Sequence, residues 1–287
     1  MWTTIVAAAL LAGAPAQQND TTFAVDPHGQ LRVEDIQGDV TIRTWDRPQV
    51  RVGTDEELRR ELRIDAGSST VRVGFDRMHG GAGGDLELTI PATMALRITG
   101  TQGDVDAKGL QGEVAIEVVN GSIELTGGRG LVTLRSVNGD IEARGVQGRM
   151  EFHTVGGDLE GSDLSGDLVA ESIGGDVQLY GIQASDVQAS TVSGDVVYDG
   201  TVRDGGHYVL SSHSGDIAFA MPEGAGATIT VNTFSGDFET AFPVRLTEQR
   251  KGQRFSFGVG SGSARVELQS FSGDINLARP GAAARGH

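Results

Sequence analysis

The sequence predicts an all-β protein whose chain winds into a single-stranded β-solenoid, and three observations carry this prediction. Glycine recurs at every ninth residue from Gly103 to Gly175, which gives nine positions at one spacing. The second residue after each of these glycines is apolar in all nine cases. Aromatic residues make up only 5% of the 287-residue chain against 43 glycines, which favours tight turns and slim inward side chains over an ordinary globular core.

The repeat has the side-chain alternation of a β-strand. Positions −2, 0, +2 and +4 relative to each glycine are mostly apolar, whereas positions −1, +1 and +3 are mostly polar. Successive side chains of a strand point to opposite faces, so we expect the apolar set, including Val119, Val137 and Val155, to face the core. Turn glycines such as Gly109 and Gly127 recur every 18 residues, so the predicted coil has two strands and about 18 residues.

Stacked coils bury an inward stripe that no coil can bury alone, and each strand pairs with its equivalent in the next coil. The glycine is expected at the coil corner, where a Cβ would collide with the neighbouring wall. Beyond Gly175 the motif recurs as VSGDV, HSGDI and FSGDF at 21-residue intervals, so the coils widen to about 21 residues. A final FSGDI follows a 37-residue gap, which we interpret as a long loop and a terminal strand over 241–278.

The regular repeats occupy 101–240 and belong to a single predicted domain over 20–278. Residues 20–100 are irregular, but they contain six short alternating runs that we predict as strands: Phe23–Val25, Leu31–Val33, Val40–Ile42, Val50–Val52, Val71–Phe75 and Leu86–Ile90. The segment Glu56–Leu62, EELRREL, fits either a capping helical turn or a charged strand edge. An atypical end of this kind would protect a solenoid from edge-to-edge aggregation. Residues 279–287 are expected to form a disordered tail.

The first 16 residues, MWTTIVAAALLAGAPA, have the features of a secretory signal peptide. A short apolar run precedes Ala14-Pro15-Ala16, which is an A-x-A cleavage signal. A membrane anchor would need about 20 apolar residues, and the polar stretch from Gln17 arrives too soon. The chain has no cysteine, so it can carry neither a lipidated cysteine nor a disulfide framework. We therefore expect an exported protein, periplasmic or at the cell surface or extracellular, with no transmembrane span in the mature chain.

Charge and motif content narrow the function classes. The chain has 23 Lys and Arg against 39 Asp and Glu, a formal net charge of −16 that repels phosphate backbones and argues against nucleic acid as a partner. Its six histidines are scattered, and neither H-E-x-x-H, G-x-S-x-G nor a nucleophile–base pair is evident from the spacing. We therefore predict a protein that is not an enzyme.

The residue after the corner glycine forms a predicted row of carboxylates along one edge of the solenoid: Asp104, Asp140, Asp158, Asp176, Asp195, Asp216 and Asp237. Carboxylates about 4.8 Å apart would repel by roughly 0.9 kcal/mol per pair in bulk water, so some other interaction must offset the repulsion. Hydrogen bonds from turn N–H groups would do so. Alternatively the row collects Ca²⁺, the one cofactor it could hold, although the phase differs from G-G-x-G-x-D calcium repeats because each Asp directly follows a single glycine.

A second set of candidate ligand residues lies where the repeat becomes irregular. Asp186, His207 and His213 belong to this region, and an active site usually breaks a repeat. His213 occupies the −2 position that is apolar elsewhere. We therefore expect a half-buried core imidazole there, in preference to a sensor or ligand that faces a groove.

Four parts of the sequence carry a family resemblance that runs from about Thr22 to Leu277: TFAVDPHGQLRVEDIQGDVTIRTWDRPQVRV, DLELTIPATMALRITGTQGDVDAKG, the repeated VNGD, VGGD and VSGD, and GSGSARVELQSFSGDINL. Together they resemble the bacterial "putative adhesin" family of β-strand-repeat envelope proteins. It implies a right-handed β-solenoid and an exported or envelope-facing location. The family is defined by its fold, so it supplies no catalytic residues to carry over.

These observations leave three hypotheses for the function. The first is a non-catalytic exported envelope protein, an adhesin or scaffold that presents a rigid acidic face to an envelope protein, a glycan or the cell surface. The second is a carbohydrate-active β-helix enzyme, which the fold permits, although only Trp45 and three tyrosines follow the signal peptide to stack on sugar rings. The third is a Ca²⁺-dependent structural module, whose melting temperature would fall when a chelator is added.

Overall fold

A computed structural model describes residues 21–54, 62–67, 69–75, 84–243, 254–260 and 262–280 of the chain. Within these ranges every regular element is a β-strand, and the strands form two sheets of 13 strands each. The predicted signal peptide, residues 56–61 of the charged segment and the tail beyond residue 280 lie outside the described residues. All six strands predicted between residues 20 and 100 are present, so the all-β prediction is confirmed.

Both sheets run the length of the described structure. The first sheet contains, in spatial order, β1 (Thr21–Ala24), β4 (Gln49–Thr54), β7 (Leu86–Pro91), β3 (Val40–Trp45), β9 (Val105–Leu110), β11 (Ile123–Gly127), β13 (Ile141–Arg144), β15 (Leu159–Ser162), β17 (Val177–Ile182), β19 (Val196–Gly200), β21 (Ile217–Ala220), β26 (Ile275–Ala278) and β23 (Phe238–Thr240). The second contains β24 (Arg254–Val259), β22 (Ala227–Ser235), β25 (Ala264–Ser272), β20 (His207–Ser214), β18 (Asp186–Ser193), β16 (Ser165–Glu171), β14 (Gln147–His153), β12 (Arg129–Asn138), β10 (Val114–Asn120), β8 (Ala95–Gln102), β2 (Gln30–Gln37), β6 (Thr70–Phe75) and β5 (Leu62–Ala66).

In the body of the molecule the chain alternates between the two sheets, and each strand pairs in parallel with the strand two places later. Val114 of β10 lies opposite Val132 of β12, 18 residues further along the chain. Val196 of β19 lies opposite Ile217 of β21, 21 residues further along. Side chains at equivalent repeat positions therefore form rows along the molecule, with the strand separation of about 4.8 Å between successive members.

The core lies between the two sheets and consists of the inward rows. The residues at the +2 position are fully buried, as the alternation predicts, and Val177 is an example with no exposed surface. The wider coils are filled by aromatic rings: Tyr198 stacks on Phe219 with ring centroids 4.9 Å apart, and Tyr208 meets Tyr198 edge-on at 5.7 Å. The Tyr198 hydroxyl donates a hydrogen bond to the carbonyl of Thr201 at 2.8 Å, and burial raises the pKa of this tyrosine.

The inward assignment of the −2 position is wrong at every second corner. Val119, Val137 and Val155 are 41%, 41% and 43% exposed, although the sequence pattern predicts them in the core. The second-sheet strands continue through this position with regular alternation, so that Val118 and its equivalents point inward and the following residue points outward. The change of phase therefore falls within the Asn-Gly-Ser or equivalent corner itself, two to three residues later than the pattern predicts.

Both ends of the solenoid have the same topological feature: the coil that is outermost in space is not outermost in sequence. At the C-terminal end β25 and β26 lie between the β20–β21 coil and the β22–β23 coil, so the last described strands are paired on both sides. At the N-terminal end β2 and β3 are likewise flanked by β6–β7 and β8–β9. The region 241–278 thus contributes a complete inserted coil, where the sequence predicts a long loop followed by a terminal strand.

Antiparallel strands cover three of the four strands in the two outermost coils. β24 pairs with β22 at one end, and β5 pairs with β6 while β4 pairs with β7 at the other. Phe238 of the outermost C-terminal coil packs against Phe255 and Phe257 of β24, with ring centroids 5.4 and 5.5 Å away. Across the described ranges we find no helix with the length and apolarity needed to cross a membrane.

Val177→Asp tests the inward rows directly. Val177 lies between Leu159 and Val196 in the first sheet, so an aspartate there would place an unpaired charge among buried methyl groups. We expect a loss of roughly 3 kcal/mol or more in the free energy of unfolding, measured by urea denaturation. The matched control is Gln178→Asp, which adds the same charge at the next, outward-facing residue. Equal stability of the two variants would contradict the assignment.

Candidate binding face

The face that brings the seven predicted aspartates together is the corner where each second-sheet strand passes into a first-sheet strand. The glycine of this corner packs directly on the glycine of the neighbouring coil. A Cβ on Gly139 or Gly157 would lie less than 3.0 Å from the carbonyl oxygen of the preceding corner glycine, a distance that real Cβ atoms essentially never show. The same approach occurs along the row from Gly103 to Gly236, so the corner glycine is required by the separation between coils.

The residue after this glycine forms a continuous row, which we call the acidic ladder. In spatial order it consists of Asp85, Asp39, Asp104, Ser122, Asp140, Asp158, Asp176, Asp195, Asp216, Asp274 and Asp237. In each of ten hydrogen bonds among the described residues, the side-chain Oδ1 of one member, or Oγ of Ser122, accepts the backbone N–H of the next member at 2.7–3.3 Å. All seven predicted aspartates belong to this ladder. These hydrogen bonds satisfy corner N–H groups that the sheets leave unpaired.

Two N-terminal members of the acidic ladder, Asp39 and Asp85, were not predicted from the sequence. Both follow a glycine and precede an apolar residue, as Gly38-Asp39-Val40 and Gly84-Asp85-Leu86, so the local motif was visible. Their irregular spacing along the chain concealed that they belong to the same row.

A row of buried hydroxyl groups lies beneath the corner, three residues before the glycine. We call it the hydroxyl row: Ser136, Thr154, Ser172, Thr191, Ser212, Ser270 and Thr233, all 3–5% exposed. In six of them the hydroxyl donates to the carbonyl of a corner glycine in the neighbouring coil at 2.8–3.2 Å. The hydroxyl of Thr233, in the outermost coil, is buried and has no hydrogen-bond partner. These hydrogen bonds fix the corner from the inside while the acidic ladder fixes it from the outside.

The residue between the hydroxyl row and the corner forms a row of exposed apolar side chains, which we call the apolar ladder. In spatial order it consists of Val119, Val137, Val155, Ile173, Val192, His213, Phe271 and Phe234. Its seven hydrophobic members are 41–63% exposed. Single exposed hydrophobic residues are ordinary, but eight equivalent positions at one strand separation form a strip about 34 Å long.

The C-terminal end of the apolar ladder is aromatic. The ring of Phe271 stacks on His213 on one side and on Phe234 on the other, with both centroid distances 4.8 Å and interplanar angles of 6° and 3°. His213 is exposed, so the prediction of a core imidazole is wrong. The residue points outward because it occupies the same phase as Val119 and Val192 in the strand.

Asp186, His207 and His213 do not form one site. Asp186 and His207 lie opposite each other on adjacent strands, where the backbone N–H of His207 donates to the carbonyl of Ser185 at 2.7 Å. His213 lies six residues further along β20, which corresponds to about 20 Å of strand. No group of three or more histidine or acidic residues suited to hold a metal ion occurs in the part of the chain that the structure describes.

The two sides of the apolar ladder differ in charge. On the corner side it is followed by the residue before the corner glycine, which is Asn, Gly or Ser, and then by the acidic ladder. On the sheet side the charges are mixed and partly paired: Arg97 lies 3.4 Å from Glu117, and Nδ1 of His153 lies 3.1 Å from Glu171. The strip is therefore apolar in the middle, acidic along one margin and balanced along the other.

Other charged groups form local pairs away from this strip. Partial burial acts to raise the pKa of the Asp106 carboxyl, but hydrogen bonds from Arg43 and Lys108 outweigh it and hold that pKa below its usual value. Lys108 also lies 2.8 Å from Glu124. A depression of about 210 Å³ near β2, β5 and β6 is lined by carboxylates, guanidinium groups and one phenyl ring, that of Phe75. It lacks the stacked aromatic platform that the carbohydrate-active hypothesis predicts.

Fold and corner together define an all-β solenoid with long parallel sheets. The chain belongs to the Toastrack DUF4097 family, whose family model matches residues 132–278. This result confirms the family resemblance of the sequence. No curated protein sequence matches the chain.

Several solved structures are similar to this one. A protein described as a putative adhesin from Bacteroides fragilis is 12% identical, with 92% of this chain and 98% of that chain covered and a TM-score of 0.46. A putative adhesin from Parabacteroides distasonis is 11% identical, with 91% and 97% covered and a TM-score of 0.45. A putative lipid binding protein from the same species is 13% identical, with 91% and 96% covered and a TM-score of 0.41. The family assignment rests on the family model alone.

A matched pair of substitutions at Asp158 separates the two effects of the acidic ladder. Asp158→Ala removes the acceptor of the Asp176 N–H, whereas Asp158→Asn keeps an acceptor oxygen and removes one charge between two like charges. We expect the alanine variant to be less stable than the asparagine variant by about 1 kcal/mol in urea denaturation. The asparagine variant should match or exceed the wild type at low salt, and the difference should shrink as salt screens the repulsion. Equal stability of the two variants would contradict the hydrogen-bonding role.

Proposed function

We propose that this protein is a non-catalytic, exported envelope protein that acts as an adhesin or scaffold. Its binding surface is the corner face, by which we mean the acidic ladder and the apolar ladder together. This face is presented to a partner in the cell envelope. The observation that carries the proposal is the continuity of this face: eight coils repeat one surface, with Ser122 in place of one aspartate and His213 in place of one hydrophobic residue. Such a surface suits an extended contact better than it suits chemistry at one point.

The similar environments of the acidic-ladder carboxylates support a binding role over a catalytic one. Catalytic carboxylates are usually placed in different environments so that one donates and the other accepts a proton. In the acidic ladder the members share one environment, and each makes the same hydrogen bond to the next coil. Repeated, equivalent carboxylates of this kind are structural groups that also give the face its negative charge.

Rigidity is the second property that supports an adhesive or scaffolding role. The corner is fixed by the glycine contact, the acidic ladder and the hydroxyl row, and the β25–β26 coil is held by strands on both sides. A surface that is already ordered loses little conformational entropy when it binds. A partner can therefore be recognised by modest contacts repeated over many coils.

Co-sedimentation with isolated envelope fractions tests this proposal. The purified chain from Gln17 would be mixed with each fraction in the presence of Ca²⁺ or of a chelator, and bound protein would be measured as a function of concentration. We expect saturable binding to one fraction. Equal recovery in the pellet with and without membranes, for every fraction, would contradict an envelope-binding role.

The same samples test the Ca²⁺-dependent alternative. In every hydrogen bond between adjacent aspartates of the acidic ladder, Oδ1 already accepts an N–H group, which leaves few oxygens to complete the six to eight that Ca²⁺ requires. We therefore expect the melting temperature to be unchanged by a chelator, measured by thermal denaturation followed by circular dichroism. A fall of several degrees would favour a calcium-dependent module, because a ligand that binds only the folded state stabilises it.

A further inference from the structure

We propose that the apolar ladder is a docking site for a basic amphipathic α-helix of a partner protein, which lies along the solenoid axis and crosses the strands. The proposal rests on the proposed function and gives its partner a chemistry. It is carried by three properties of the strip: its exposure, its spacing and its charge.

The exposure of the apolar ladder is more than the fold requires. Stacking between neighbouring coils buries the sides of these residues against each other, yet Ile173, Phe271 and Phe234 keep 52%, 49% and 63% of their surface exposed. The corner does not need an apolar group at this position, because Thr101 occupies it one coil before Val119. A contiguous apolar strip of this length on a protein with a net charge of −16 is typical of an interaction surface.

The spacing of the apolar ladder selects a helix over an extended strand. Its members recur at the coil separation, and the aromatic members are 4.8 Å apart. The apolar seam of an α-helix offers two residues per heptad, which is one residue every 5.2 Å or so. An extended strand offers one same-face residue only every 6.7 Å or so. For a helix, the mismatch between its seam residues and the positions of the apolar ladder reaches about 2 Å only after four coils. For an extended strand, the same mismatch is reached after one coil.

The charge of the margins selects a basic partner. The acidic ladder runs parallel to the apolar ladder, so a helix seated on the strip has carboxylates along one flank. Lysine or arginine next to the seam of the helix would meet this margin, and such complementarity favours both association rate and register. A second copy of this chain fits the face poorly, because two molecules of charge −16 would be brought together.

A designed peptide can test this site without knowledge of the natural partner. The probe is a 21-residue peptide of three heptads with Leu at positions a and d, Lys at e and g, and Ala or Gln elsewhere; it spans about 31 Å as a helix. A second peptide has the same composition with Leu and Lys alternating at the period of a strand. A third replaces Lys by Glu. Binding of each to the full mature chain is measured by titration calorimetry near 0.15 M salt, and peptide helicity by circular dichroism.

Two sets of protein variants complete the design. The first is a triple variant that combines Val137→Thr, Val155→Thr and Ile173→Thr. These substitutions keep a β-branched side chain at each position but remove apolar groups from the centre of the strip. Val137→Thr alone is matched by Leu131→Thr, since Leu131 is 44% exposed but lies outside the apolar ladder. Thermal denaturation checks that each variant is folded.

We expect the helical peptide to gain helicity on binding and to bind at least about tenfold more tightly than the alternating and acidic peptides. The triple variant should lose at least about tenfold in affinity, and Val137→Thr should weaken binding more than Leu131→Thr does. Equal affinity for the helical and alternating peptides, or for the triple variant and the wild type, would overturn the proposal. So would a dimer of the wild type that dissociates in the triple variant, because the strip would then be covered by a second copy.

Envelope co-sedimentation of the triple variant separates this inference from the proposed function. Loss of envelope binding along with peptide binding supports a helical partner in the envelope. Retained envelope binding by the folded triple variant overturns the docking site while leaving the envelope role intact.

Discussion

Parallel backbone pairing between coils holds equivalent residues about 4.8 Å apart, and at the corner this separation leaves room for a hydrogen atom but not for a Cβ. The other features of the corner depend on that contact. Because the glycine carbonyl of one coil lies close to the next coil, the hydroxyl of Ser172 or its equivalents can reach it from the core side. Because the chain turns at the glycine, the N–H of the following residue leaves the sheet and is satisfied by the aspartate of the neighbouring coil.

The repeat spacing was sufficient to predict the fold, because a glycine at every ninth residue, with an apolar residue two positions after it, is compatible with few structures other than stacked coils. The spacing was insufficient to predict which residues face the core just before the corner glycine. The pattern placed Val137 inside, whereas the structure exposes Val137 and buries the preceding residue, Ser136. Hydrophobicity alone assigns the apolar residue of such a pair to the core, whereas here the buried member is a serine whose hydroxyl donates to the carbonyl of a corner glycine. That carbonyl belongs to another coil, so no local pattern reveals it.

The spatial order of the coils could not be predicted from the sequence either. A period states which residues are equivalent, but not which coil lies beside which, and the 37-residue gap before Gly273 is compatible with a terminal or an inserted coil. The structure inserts it, so that Gly273 packs on Gly215 while Gly236 packs on Gly273. An inserted coil has hydrogen-bonded neighbours on both sides, so the last strands of the fold cannot fray as a free edge would. The antiparallel β24 then covers one strand of the coil that is left outermost.

Ser122 shows that a neutral side chain can make the hydrogen bonds of the acidic ladder. Its hydroxyl stands between Asp104 and Asp140, accepts the Asp140 N–H and has its own N–H accepted by Asp104, so one neutral acceptor maintains the row without a carboxylate. The hydrogen bonds of the corner therefore require an acceptor at this position but not a negative charge. Each added carboxylate strengthens its own hydrogen bond and at the same time repels its neighbours. The negative charge is the part of the acidic ladder that these hydrogen bonds do not need, and it lies beside the apolar ladder, whose exposure the fold does not need either. Their parallel course along the same corner is what joins the two rows into the one face that we propose for binding.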